Sequence, residues 1–210
     1  MGCLLAARLA ELDPIVAELT ADRLAAAQIL APVRPLEFFH PLLGAAVQED
    51  IAPGAHRMAH RRAAELLDRE GEVSLPRIAA HLLACGPAGD PWVVQVLRAA
   101  AREAVASGAP ESAARYLERG LQETPPPAVR AELLLELGEA QLQAGLPDAT
   151  QRMREALELS TDPRRRAEMS MVLGRARYCT GDWAGAREAV RDGLAELPDE
   201  DDDLAHELQG

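Results

Sequence analysis

With 210 residues, 48% of them hydrophobic and 27% charged, the chain has the ordinary balance of a soluble protein with room for one or two domains. Aromatics are only 3%, so any core is built from Ala, Leu and Val, which suits close-packed helices and not a sheet of β-branched and aromatic side chains. The net charge of −12 argues against a broad non-specific nucleic-acid footprint, and no apolar run approaches the roughly 18 residues of a membrane span.

Cys3, Cys85 and Cys179 are far apart and lack CxxC spacing, which argues against a disulfide framework or zinc site and fits a reducing cytoplasm. Residues 4–12 read as a short helix. Asp13 caps a second, with Pro14 in its first turn and Ile15, Val16, Leu19, Leu24 and Ala27 as its apolar stripe; Thr20 and Asp22 mark where it would break. Ile29 to Phe39 contains Pro32 and Pro35 and predicts two short extended pieces around a turn, a small β-hairpin. Helix, helix, hairpin is the order of a winged-helix module, here partial, over residues 1–52. A helix from His40-Pro41 to about Glu49 follows. Residues 53–89 read as a helical linker or arm: a break at Pro53-Gly54, a helix from His56 to Arg69, a stop at Gly71, then a helix from Pro76 to Cys85-Gly86-Pro87.

From residue 90 a pattern repeats. Gly108, Gly145 and Gly181 lie 37 and 36 residues apart, and each is followed by small residues at helical spacing, ending in Gly120-Leu121, Ala156-Leu157 and Gly193-Leu194. That period predicts three tetratricopeptide (TPR)-like helical hairpins over residues 90–198: 91–107 with 110–122, 128–144 with 147–159, and 164–180 with 183–197. Gly138 and Gly174 share one site in the first helix of their hairpins, matched by Ala101, where a small side chain lets backbones approach. The second hairpin is one residue shorter, which predicts a tightened turn. Residues 199–210 form an acidic tail and the start of a further helix. The predicted fold is all-α: a partial winged helix with a small β-hairpin, followed by a TPR-like solenoid.

Motifs for chemistry are absent: no GxxxxGK[ST], GxGxxG, GxSxG or HExxH occurs, so no enzyme is expected. His56 and His60 share a helix face, but no third ligand has matching spacing and arginines flank them, so a solvated or half-buried face is the expectation in place of a metal site. Arg57, Arg61, Arg62 and Arg164-Arg165-Arg166 are basic spots with nearby acids and no interleaved aromatic, which predicts i,i+4 pairing on solvated faces and no direct nucleic-acid binding. The concave face of the array is the candidate site for a protein partner or small-molecule effector. Its register carries Gln95, Arg98 and Arg102, then Glu132, Leu135, Glu139 and Gln143, then Glu168, Met171, Arg175 and Tyr178: mixed charge around apolar anchors.

The run Leu36-Glu37-Phe38-Phe39-His40-Pro41-Leu42-Leu43, with Ala45-Ala46-Val47, resembles the end of the winged-helix part of large ATP-binding LuxR-type transcriptional regulators of actinobacteria. Ile78 to Leu83, Gly89-Asp90-Pro91-Trp92-Val93-Val94 and Gly108-Ala109-Pro110-Glu111 are similar to the linker and first repeat of those proteins, and the likeness covers nearly the whole chain. The resemblance implies a nucleotide-binding domain before the winged helix and a helix-turn-helix after the sensor array. It also implies that His40, at the position of a winged-helix histidine in related signalling ATPases, contacts the nucleotide phosphate of the intact protein. Phosphate loop and DNA-binding helices are missing from this chain, so ATP or ADP is implied for the family and no cofactor for the chain itself. The expectation is a central, non-catalytic regulatory fragment; the alternative is a stand-alone TPR adaptor.

Overall fold

A computed structural model describes residues 3–33, 35–71 and 74–196. The tail and further helix expected after residue 198 lie outside the described residues. The chain divides into two compact units, Met1–Gly86 and Pro87–Gly210. Among the described residues all regular structure is α-helical, and no helix is long and apolar enough to cross a membrane.

The first unit contains α1 (Cys3–Ala10), α2 (Pro14–Ala26), α3 (Pro41–Asp50), α4 (Pro53–Glu70) and α5 (Leu75–Leu83). Asp13 caps α2 by accepting the Ile15 and Val16 N–H groups. The break expected near Thr20 does not occur: the helix runs on through it, with the Thr20 hydroxyl donating to the Val16 carbonyl at 2.7 Å. Nor does the expected stripe face inward: α2 buries Ala17 and Ala21, while Ile15, Val16 and Leu19 are exposed. Small residues win this interface since α1 meets α2 through Cys3 and Ala7, with Leu30 and Leu36 filling in behind. The predicted β-hairpin reduces to one antiparallel bridge, Leu30 with Phe38, flanked by Ala31 N–H to Glu37 O and Phe39 N–H to Ile29 O, both 2.9 Å. The break expected at Pro53-Gly54 falls two residues earlier, at Ile51-Ala52; Pro53 occupies the first turn of α4, where its missing N–H costs nothing. Gly71, at φ +69°, ends α4.

The second unit holds α6 (Pro91–Ala106), α7 (Pro110–Leu121), α8 (Pro127–Gln143), α9 (Ala149–Leu159), α10 (Pro163–Cys179) and α11 (Trp183–Glu196). These pair as three hairpins, α6 with α7, α8 with α9 and α10 with α11, and α8 and α10 each pack on the helix before them. The first helix of each hairpin ends in the same way. Gly108, Gly145 and Gly181 have φ of +75°, +65° and +84°. Each glycine N–H bonds back to a carbonyl three residues earlier, and the next residue's N–H to one five residues earlier: Ala109 to Ala104 at 2.8 Å, Leu146 to Gln141 at 2.8 Å and Asp182 to Arg177 at 2.9 Å. This is the Schellman arrangement, which a left-handed glycine makes without a Cβ clash.

The helices of a hairpin then approach through small residues. A Cβ on Gly138 would lie 2.7 Å from the Ala149 carbonyl oxygen and 2.8 Å from Met153 Cγ; one on Gly174 would lie 2.8 Å from Val190 Cγ2 and 3.3 Å from the Ala186 carbonyl. The second hairpin's turn is lengthened, not tightened. Three residues separate Gly145 from α9, where one separates Gly108 from α7 or Gly181 from α11, and α9 loses its first turn in exchange. Asp148 takes φ +71° there, and the face of α9 toward α8 keeps its register because the loss falls at the helix start.

Two apolar clusters carry the second unit, one around Leu117, Leu133 and Leu137, the other around Leu134, Met153, Met169 and Leu173. Glu123 fastens the entry to α6: its carboxylate accepts the Ala88 and Asp90 N–H groups, both at 2.9 Å, and pairs with Arg119 at 2.8 Å. Burial raises its pKa, but the two N–H donors and Arg119 outweigh that and hold it below the ordinary value.

Gly138→Ala is expected to destabilise the second unit by about 1–3 kcal/mol, because an added methyl must displace backbone. Gly120→Ala, whose Cβ would meet nothing nearer than Leu133 Cδ1 at 3.9 Å, is expected to be neutral or stabilising by up to about 1 kcal/mol. Urea unfolding of both variants, followed by circular dichroism, checks the contrast.

Candidate functional site

The first helices of the three hairpins, α6, α8 and α10, carry a row of charges that pair with one another. Arg98 on α6 reaches both oxygens of Glu136 on α8 through Nε at 3.0 Å, and Glu132 through Nη2 at 3.3 Å. Arg102 donates to Glu136 at 2.7 Å. On the other side of Glu132, Arg165 of α10 makes a two-pronged bond through Nε and Nη2, both at 2.7 Å, and uses Nη1 for Glu168 at 2.6 Å. Paired, planar guanidinium–carboxylate contacts are the strong kind. The bond from Arg165, against the opposing effect of burial, holds the Glu132 carboxyl below its ordinary pKa.

Glu139 has the opposite sign. Burial pushes its pKa up, and Arg175, at 3.5 Å and well exposed, does not offset it. Glu139 lines an open groove of about 310 Å³ between α6 and α8, together with Arg102, Glu136 and Gln143, over a floor of Ala101, Val105, Leu117 and Ala140. An apolar floor with a few convergent polar groups is the usual form of a site that accepts a side chain.

Of the residues expected on this face, Arg98, Glu132, Glu139, Glu168 and Met171 are half-buried, and Gln95, Arg102, Gln143, Arg175 and Tyr178 are exposed. Leu135 is the correction. It is 4% exposed and packs in the cluster with Leu134, Met169 and Leu173, because α8 has helices on both sides and an apolar side chain at that register is covered. Glu136, Arg165 and Val105 belong to the face and were missed. Glu136 follows Glu132 by one turn and could have been marked as a second carboxylate on that stripe; its facing arginines become visible only once α6 is beside α8.

The basic run on α10 resolves into three environments. Arg164 has the expected i,i+4 partner, Glu168, at 3.9 Å. Arg165 crosses to α8, and Arg166 reaches Glu196 of α11 at 2.8 Å and the Ser160 carbonyl at 3.1 Å. In the first unit Arg61 pairs with Glu65 at i,i+4, whereas Arg62 leaves its own helix for Glu11. His40 caps α3, its Nδ1 accepting the Leu42 N–H at 3.2 Å, and the ring is exposed.

The histidines on α4 gain a third companion that spacing did not reveal. His81 of α5 meets His60 with Nδ1 to Nδ1 at 2.8 Å, and His56 stands edge-on to His60 at 4.4 Å between centroids. One ring donates and the other accepts. Among the described residues no three side chains of metal-ligating type are placed to hold an ion. Burial, then the charge on His56, lowers the His60 pKa; burial, then His60 and Arg77, lowers that of His81. No protein-family model matches the chain, and no curated protein matches its sequence.

Since folding favours the neutral imidazoles, the unfolded chain binds more protons as the pH falls. The stabilisation is complete above the ordinary imidazole range and is lost as the pH drops through it. The urea midpoint is expected to fall between about pH 7.5 and 5.5, and to fall less in His81→Gln.

Proposed function

We propose that the second unit is a TPR-like array that binds a polypeptide partner along the α6–α8–α10 face, and that it serves as the non-catalytic sensor part of a regulator similar to the LuxR-type ATP-binding class. The observation that carries this reading is the α6–α8 groove, an apolar floor inside a rim of ion-paired side chains. Glu132 and Glu136 are already engaged by arginines, so they hold neighbouring hairpins together and shape the groove. Glu139 is the acid with most to gain from a partner's cation or amide, and Val105 offers contact to an apolar side chain. The setting rests on the sequence likeness described above.

The first unit supports a role within a larger assembly. Ile15 and Leu42 are 71% and 72% exposed, and Leu19, Phe39 and Met58 are also open to solvent. Large apolar side chains in that number ordinarily meet another protein surface. In this reading α2, the Leu30–Phe38 bridge and α3 are the remnant of a winged helix, and His40 faces a nucleotide phosphate only when the nucleotide-binding domain is present.

Selection from a displayed random-peptide library on the immobilised chain is expected to enrich peptides with an apolar residue beside a basic one. Val105→Asp should weaken their binding at least tenfold, about 1.4 kcal/mol, and Glu139→Gln should weaken it less. Failure to enrich any sequence that discriminates the chain from Val105→Asp rejects the groove as the binding site.

A further inference from the structure

In the first unit α5 packs on α4, burying Ile78, Ala79 and Leu82, while α4 buries Ala63, Ala64 and Leu67. Polar contacts cross between the two helices as well. His60 Nδ1 meets His81 Nδ1 at 2.8 Å, with the ring centroids 5.0 Å apart and the planes tilted by 46°. Just beyond α5, the Cys85 thiol donates to the Arg57 carbonyl of α4 at 3.6 Å and to the His81 carbonyl at 3.3 Å.

A bond between two Nδ1 atoms has a strict proton requirement. One ring must carry a hydrogen there and the other a lone pair. With both rings neutral the bond forms. One added proton leaves it intact, because a cationic ring still donates to a neutral one. A second proton removes the last lone pair and sets two N–H groups of two cationic rings against each other. The pair therefore titrates as a unit, and its second proton breaks the bond.

The surroundings work in the same direction. His56 stands 4.4 Å from His60 between centroids, and Arg77 lies one turn before His81 on α5. Burial first, and then these neighbours and the facing ring, hold both imidazoles below their ordinary pKa. Within one turn of His60, α4 also carries Arg57, Arg61 and Arg62; Glu65 holds Arg61, and Glu11 reaches Arg62 from the end of α1. The closed form thus binds fewer protons than an open one. Closure is complete above the ordinary imidazole range and weakens as the pH falls through it.

We propose that the His60–His81 pair is an acid-operated latch: on taking up two protons it releases α5 from α4 and frees the Cys85 thiol, while the rest of the first unit stays folded. Release uncovers Ile78 and Leu82, which are 2% and 0% exposed when the latch is closed, and so offers an apolar face in acid alone. This device belongs to the first unit and does not depend on the α6–α8 groove, so either reading can fail alone.

Thiol labelling of the full chain tests it, because the three cysteines report different events. Cys85 reports α5. Exposed Cys179 is the reference that cancels the common fall of thiolate with pH, and buried Cys3 reports unfolding of the unit. The Cys85-to-Cys179 rate ratio is expected to rise at least about fivefold between pH 7.5 and 5.5, with the Cys3-to-Cys179 ratio unchanged. His81→Gln and His60→Gln each remove one titrating ring, from opposite helices, and should leave a Cys85 ratio that hardly changes with pH. A flat ratio in the unchanged chain overturns the proposal, as does a rise of the same size in either Gln variant. A parallel rise at Cys3 overturns it too, by showing that acid unfolds the whole unit and not α5.

Discussion

The second unit depends on how closely two helices can approach within a hairpin. Gly138 and Gly174 bring their helix backbones against the Ala149 and Ala186 carbonyls, at a separation that a larger side chain would prevent. Given that approach, the left-handed glycine after each first helix can reverse the chain within a few residues. The apolar residues on the second helix then face the next hairpin, and the clusters around Leu117 and Met153 form as a consequence. An alanine-rich, aromatic-poor composition belongs with this design: thin helices pack at short distance, and stability comes from many small contacts.

Electrostatics follows from the same stacking. With first helices side by side, Arg98 and Arg102 face Glu136, and Arg165 faces Glu132, so charges that look solvated in the sequence become cross-links between hairpins. Each partly exposed pair contributes little by itself, on the order of 0.2–1 kcal/mol. In the proposed reading their larger effect is on binding, since an acid already held by two arginines is costly to recruit for a partner. Glu139 is different because burial disfavours its charge and Arg175 stays largely in solvent.

The two units reward sequence reading unequally. In the hairpins three copies of one pattern corroborate each other, and the helix limits and turn glycines were legible from the period. The shortened second hairpin was misread, since a deletion can tighten a turn or remove a helical turn and lengthen the loop; only the backbone at Asp148 distinguishes them. In the first unit no repeat averages out local ambiguity. Ile15, Val16 and Leu19 form a plausible stripe, yet the partner helix offers Cys3 and Ala7, and small faces pack on small faces.

By itself the sequence determined the all-helical class, the hairpin period, the glycine turns and most members of the charged face, because each follows from local periodicity and backbone chemistry. Tertiary structure alone decided which of those members are occupied: it buried Leu135, added Glu136 and Arg165, and brought His81 to His60. The reason is that helical periodicity places a side chain on a face, whereas its partner is set by the register between helices far apart in the chain. That register is a property of packing, and no single helix encodes it.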